Sequence, residues 1–284
     1  MAPLAEIGST DHRFTVNLSI LFTELPLLER PAAARAAGFT AVELWWPWVD
    51  APVPEQSELD ALRSALQDAG TQLTGLNFYA GQLPGPDRGA LSVPGEESEK
   101  FRRNIDVAAD FAQSLGCKAL NALYGNRVEG VPEAEQDELA LENLKLAARA
   151  ADRIGATLLI EALNAAESPK CPIVSAPKAI EIVDKVNEAT GLGNATFLMD
   201  LYHLAMNGED LHRIIDEHTA KTGHVQIADN PGRGAPGTGE LDFGDLLGRL
   251  KKAGYEGWIG LEYKPGDQPS ASSFGWLPAP LRSA

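Results

Sequence analysis

Apolar residues recur along this chain in short runs, each followed by a longer stretch of helical composition. The strand-like runs are residues 13–18 (RFTVNL), 40–44, 72–77, 119–122, 157–160 (TLLI), 196–199 (TFLM), 223–227 and 258–261 (WIGL). Helical composition occupies 25–37, 55–69, 96–115, 132–154, 177–189, 210–219 and 243–253, with a short last helix in the tail. Five of these helices end on a glycine just before the next strand, in AAGFTAV, DAGTQLT, SLGCKAL, RIGATLL and KAGYEGW. A glycine there lets the chain leave the helix and turn back. Short β-rich runs alternating with helices read as repeated βαβ units and a parallel sheet. Eight such units in 284 residues match a single (β/α)8 TIM barrel, an α/β fold of ~250 residues in its usual form. Residues 1–12 read as a flexible N-terminal segment, and 13–284 as the barrel domain.

The barrel reading changes the weight of four polar residues. Glu161, Asp200 and Glu262 each stand just past one of the last four apolar runs, and Gln226 ends the apolar stretch GHV of the seventh, at gaps of 39, 26 and 36 residues. The C-terminal ends of barrel strands converge on one face, where catalytic groups belong. Four oxygen donors meeting there form a site for a hard divalent cation, Mg2+ or Mn2+. His203 follows Asp200 in MDLYH and is placed to touch a substrate oxygen. Glu167, in EALNAAE, is a further loop carboxylate at the same rim. Arg233, in the glycine-rich loop NPGRGAPGTGE, suits a carboxylate on the substrate, and Lys264 and Arg88 are alternative cations for that anion. His224 reads as a residue of the core or one behind the site. Trp45, Trp46 and Trp48 stand just past the second strand, where they could wall a pocket or form an interface. The loop over 79–95 is long enough to be functional or disordered.

Composition narrows the partners. The net charge of −16 repels phosphate backbones, so nucleic acid is not an expected partner. Two cysteines far apart, outside any CxxC motif, argue against a disulfide scaffold and for the cytoplasm. No signal peptide and no membrane-length apolar run are visible, so no membrane is expected.

Two glutamates on opposite sides of one cation have a recognisable use. One removes a proton from a carbon next to a carbonyl, and the other returns a proton to the neighbouring carbon through a cis-enediolate. That is aldose–ketose isomerisation or epimerisation. A DNA-repair metallonuclease on the same fold would need a His-rich zinc cluster and a basic groove. A non-catalytic sugar-binding barrel would not need the acids.

The strings RFTVNLSILFTE, VELWWP, IEALN, MDLYH, GHVQIADNPGRGAPGTGE and GLEYKP resemble the hydroxypyruvate isomerase family of xylose-isomerase-like barrels. The resemblance implies metal ligands at Glu161, Asp200, Gln226 and Glu262, an acid/base pair at Glu161 and Glu262, and substrate contacts at Glu167, His203 and Arg233. It implies interconversion of hydroxypyruvate and tartronate semialdehyde, with 2-oxo-tetronate isomerisation or ketose 3-epimerisation as relatives of the same chemistry. Glutamine at 226, where the epimerases usually carry histidine, favours the isomerase branch. It also implies a small 2-oxo hydroxy-acid substrate and a homo-oligomer, dimer or tetramer.

Overall fold

The structure is a computed structural model that describes residues 12–283. Residues 1–11 of the segment expected to be flexible lie outside the described residues. His12 at its end is buried, with Nε2 2.8 Å from the Leu247 carbonyl oxygen.

Eight parallel strands close into a barrel in sequence order: β1 (Arg13–Asn17), β2 (Ala41–Leu44), β3 (Gln72–Asn77), β4 (Ala119–Asn121), β5 (Thr157–Glu161), β6 (Ala195–Asp200), β7 (Thr222–Ile227) and β8 (Trp258–Leu261). β1 pairs with β8 and completes the ring. Around it lie α1 (Arg30–Ala36), α2 (Gln56–Asp68), α3 (Glu96–Ser114), α4 (Glu133–Arg153), α5 (Ala176–Thr190), α6 (Leu201–Met206), α7 (Leu211–His218) and α8 (Phe243–Lys252). The first expected helix is split into a 3₁₀ turn and α1, because Pro31 suits a helix start rather than an interior. α6 has no counterpart in the sequence reading. It starts directly off β6, where the Asp200 carboxylate accepts from the backbone N–H groups of Tyr202 and His203.

Side chains alternate along each strand, so every second residue faces the barrel axis. Toward the floor of the barrel Ala119, Leu159 and Leu198 form an apolar plug apart from the main core. At the C-terminal end the inward positions turn polar, with Asn17, Glu43, Asn77, Asn121, Glu161, Asp200 and Gln226 buried, and Glu262 just beyond β8. Register slips at Val42/Glu43 and at Phe197/Leu198 add one residue to β3 and one to β7. After the second slip β7 is regular, so His224 and Gln226 both face inward.

The long loop over 79–95 is ordered. Buried amides on the outer helices hold its main chain: Asn104 Oδ1 accepts from Tyr79 N, Asn143 Nδ2 donates to the Leu91 carbonyl, and Gln136 Nε2 donates to the Ser92 carbonyl. No helix among the described residues is long and apolar enough to cross a membrane.

Candidate active site

Glu161, Asp200, His203 and Glu262 each bring one nitrogen or oxygen atom into a cluster whose members all lie within 4.8 Å of one another, fully inside the barrel mouth. Each side chain is fixed by its neighbours. Glu161 Oε2 accepts from Asn121 Nδ2 at 2.9 Å. Asp200 Oδ1 is committed to capping α6, at 2.8 Å from Tyr202 N, so Oδ2 is the oxygen it offers inward. Glu262 is the most heavily bonded. Its Oε1 accepts from Asn17 Nδ2 at 2.9 Å, Trp45 Nε1 at 2.8 Å and Gln226 Nε2 at 3.2 Å, and its Oε2 pairs with Arg233 Nη2.

His203 has a defined tautomer. The Asn164 backbone N–H donates to Nδ1 at 3.2 Å, so in the neutral ring the proton sits on Nε2. Burial, and then the charges of Arg233 and Arg88, hold this imidazole well below its ordinary pKa. Its Nε2–H therefore faces Glu161 Oε1 at 3.7 Å and Asp200 Oδ2 at 3.6 Å as a neutral donor.

The electrostatics suit a cation. Burial, followed by repulsion from Glu262 and Asp200, pushes the Glu161 carboxyl well above the usual range. Burial and Glu262 push Asp200 up to about 7, with Arg233 opposing. Glu262 is raised by burial, against the pull of Arg233. Three clustered carboxylates face one guanidinium, an excess of negative charge that a divalent ion would neutralise. Gln226 Oε1 supports the same conclusion, because it is buried without any hydrogen-bond partner. The carboxylates of Glu161, Asp200 and Glu262 with this amide oxygen are a hard, oxygen-rich donor set, and they fit Mg2+ or Mn2+.

Above the cluster opens a cavity of about 800 Å³, lined by Trp45, Glu167, His203, Arg233 and Lys264 among others. Glu167 sits on its wall. Burial alone would raise its carboxyl, but bonds from Asn164 and Tyr202, with the charges of Arg233 and Lys264, bring it below the ordinary value. Arg233 reaches in from the β7–α8 loop with a backbone φ of 55°, a strained value for a non-glycine residue, and its guanidinium lies 5.3 Å from the centre of the Tyr202 ring. Asp229 builds that loop. Its carboxylate accepts from the backbone N–H groups of Asn230, Gly237 and Leu241.

The other candidate cations separate clearly. Arg88 lines the cavity, yet its donors go to Ser168 Oγ and to the carbonyls of Gly85, Asp87 and Glu167. It staples the 79–95 loop to the β5–α5 loop, which leaves little of it for a substrate anion. Lys264 stands exposed at the cavity mouth. Of the three tryptophans only Trp45 reaches the site. Trp46 and Trp48 pack on each other at 5.0 Å, and Trp48 packs on Phe111. His224 lies behind the site, with Nε2 2.7 Å from Glu43 Oε2. The residues that sequence reasoning passed over are Asn17, Glu43, Asn121, Asn164 and Asp229. The first three could have been found, because they too stand at inward C-terminal positions of strands.

Comparison with known proteins agrees with this geometry. Residues 31–279 match the family described as xylose isomerase-like TIM barrel. A Streptomyces coelicolor protein provisionally named as a hydroxypyruvate isomerase is 80% identical over 278 residues, covering 98% of this chain and 100% of that protein. The hydroxypyruvate isomerase of Escherichia coli is 33% identical over 253 residues, covering 89% of this chain and 93% of that one. A crystal structure from Brucella melitensis, described as an AP endonuclease of family 2, superposes with a TM-score of 0.83 at 34% identity, covering 94% of this chain and 98% of that one. The chain belongs to the hydroxypyruvate isomerase family, within the xylose isomerase-like TIM barrels, and is an isomerase.

Proposed function

We propose that the chain interconverts hydroxypyruvate and 2-hydroxy-3-oxopropanoate (tartronate semialdehyde) through a cis-enediolate. One observation carries this reading: Glu161 and Glu262 approach each other from β5 and from just past β8 at the floor of a cavity whose wall carries Arg233. Glu161, Asp200, Glu262 and the Gln226 amide oxygen would hold Mg2+ or Mn2+. When bound, such an ion supplies Lewis-acid polarisation to the carbonyl and hydroxyl oxygens of the substrate.

The remaining work falls to the chain itself. One glutamate takes a proton from C3, and the other gives a proton to C2. The hydroxyl hydrogen moves from O3 to O2, so substrate and product have the same formula. The pair then re-equilibrates its proton before the next turnover. Asn121 aims Glu161, and Asn17 and Trp45 aim Glu262. The neutral Nε2–H of His203 donates to a substrate oxygen. Arg233, with Lys264 nearer the mouth, receives the carboxylate.

The test is proton NMR of hydroxypyruvate in D2O with wild type, Glu161→Gln and Glu262→Gln, each with and without chelator. Wild type should form product and wash deuterium into C3 and C2, and chelator should stop it. Exchange that persists in both variants would remove the assigned roles. A second reading is favoured by the cavity, whose volume of about 800 Å³ leaves space well beyond a three-carbon acid. A 2-oxo-tetronate, or a ketose undergoing 3-epimerisation, would use the same two glutamates, and a substrate panel separates these cases. The charge of −16 disfavours a nucleic-acid substrate.

A further inference from the structure

Behind the proposed cation site lies a carboxylate that the mechanism does not use. Glu43 on β2 is 3% exposed and bonded on both oxygens. Its Oε1 accepts from Gln226 Nε2 at 2.7 Å and from Asn17 Nδ2 at 3.1 Å, and its Oε2 lies 2.7 Å from His224 Nε2. Room has been cleared for it. A Cβ added at Gly260 would meet both Glu43 oxygens at 2.7 Å, and one at Gly75 would meet the Glu43 Cβ at 3.4 Å. A glutamate buried this deeply, with glycine on both neighbouring faces and three nitrogen partners, has a fixed position.

That position determines which way Gln226 faces. The Gln226 NH2 group lies between Glu43 Oε1 at 2.7 Å and Glu262 Oε1 at 3.2 Å. Turning the amide over would put its oxygen against two carboxylate oxygens, whereas the NH2 group satisfies both. The amide oxygen is thereby left on the remaining side, buried and without a partner. Glu262 cannot perform this task alone, because in the proposed function it serves the cation and the proton transfer. Glu43 has no such second duty.

We infer that Glu43 is a positioning residue that presents the Gln226 amide oxygen to the divalent cation. The inference rests on the reading of Gln226 as a ligand. Partners of this kind set the orientation of a ligand and contribute about 10- to 100-fold to metal affinity.

The experiment is Mn2+ titration of the metal-free protein, read from the electron paramagnetic resonance signal of free Mn2+, with circular dichroism as the check on folding. Wild type, Glu43→Gln, Gln226→Ala and the double variant are compared. Glu43→Gln keeps the volume and should weaken Mn2+ binding about 10- to 100-fold. In the Gln226→Ala background the same change should cost little more, since the two act through one contact. Unchanged Mn2+ affinity in Glu43→Gln, or losses that multiply in the double variant, would overturn the positioning role alone. A wild type that does not bind Mn2+ would overturn the cation reading and this role with it. If Glu43→Gln does not fold, the wild type still decides. Its Gln226 side-chain amide protons, identified by their absence from the Gln226→Ala spectrum, should exchange slowly with solvent, and exchange at the rate of an exposed glutamine would overturn the role.

Discussion

Replacing Arg233 by methionine removes the guanidinium that, among the described residues, is paired with the acidic cluster, while keeping most of its volume. The Arg233 side chain is 13% exposed and Glu262 5%, so the pair is effectively buried and little screened by solvent. Removing one partner of a buried pair typically costs about 3–5 kcal/mol, because the other is left uncompensated. For a domain of this size each kcal/mol moves Tm by about 2 °C, so Arg233→Met should melt about 6–10 °C lower in chelator. The structure further predicts that a divalent ion offsets part of this loss. Glu161, Asp200 and Glu262 crowd within 4.8 Å, and a cation among them supplies the positive charge that Arg233 no longer provides. Thermal melts of both proteins by circular dichroism, with chelator and with saturating Mn2+, measure the effect. The gap between variant and wild type should narrow in Mn2+. A gap of equal size under both conditions would show that Arg233 and the cation site do not share one electrostatic environment, and would refute the reasoning.

The same cluster sets a pH dependence. Its carboxyls titrate higher in the folded protein, Asp200 at about 7 with Glu161 also well raised, than in the unfolded chain, where carboxyls titrate at about 4. Raised folded-state values contribute stability that is complete below the unfolded pKa and lost as pH climbs through the folded one. The Tm of metal-free protein should therefore fall between about pH 5 and about pH 8, and saturating Mn2+ should flatten that slope. A flat metal-free profile would count against the clustering. Lys264→Ala should raise KM for acid substrates about tenfold, the effect of one exposed charge-assisted contact, with kcat nearly unchanged; a fall in kcat alone would contradict its place at the mouth. Arg88→Met should raise KM and loosen protection of the 79–95 loop in hydrogen exchange, while Mn2+ affinity stays at the wild-type value. Loss of Mn2+ binding would contradict the staple role.

Much of this architecture was legible in the sequence because its two strongest signals are local. A helix that ends on glycine and reverses into a strand needs only a few residues to declare itself, as RIGATLL does before β5. The rule that strand ends converge picks out Glu161, Asp200, Gln226 and Glu262 as candidates without any knowledge of contacts, and the structure brings Glu161, Asp200 and Glu262 together with His203. What stayed hidden depends on partners distant in the chain. Glu43 looks like one acid in an aromatic-rich stretch until His224 and Gln226 are seen against it, 181 and 183 residues away. Arg88 looks like a free cation because the carbonyls that occupy it belong to folded loops. α6 was missed because its nucleus is the side chain of Asp200 itself, and six residues are too few to show a period. Trp45 could not be told from Trp46 and Trp48 by composition, since only geometry sends one indole to Glu262 and the other two into the core.

The three helix amides that hold the 79–95 segment have a practical consequence. A roof bolted to the outer scaffold by Asn104, Gln136 and Asn143 at Tyr79, Leu91 and Ser92 leaves the stretch between those points, with Leu83, Pro84 and Gly85, to shape the entrance. Retailoring the enzyme toward longer or differently substituted substrates then becomes a matter of recarving the inner surface of that roof, with the three bolts left in place.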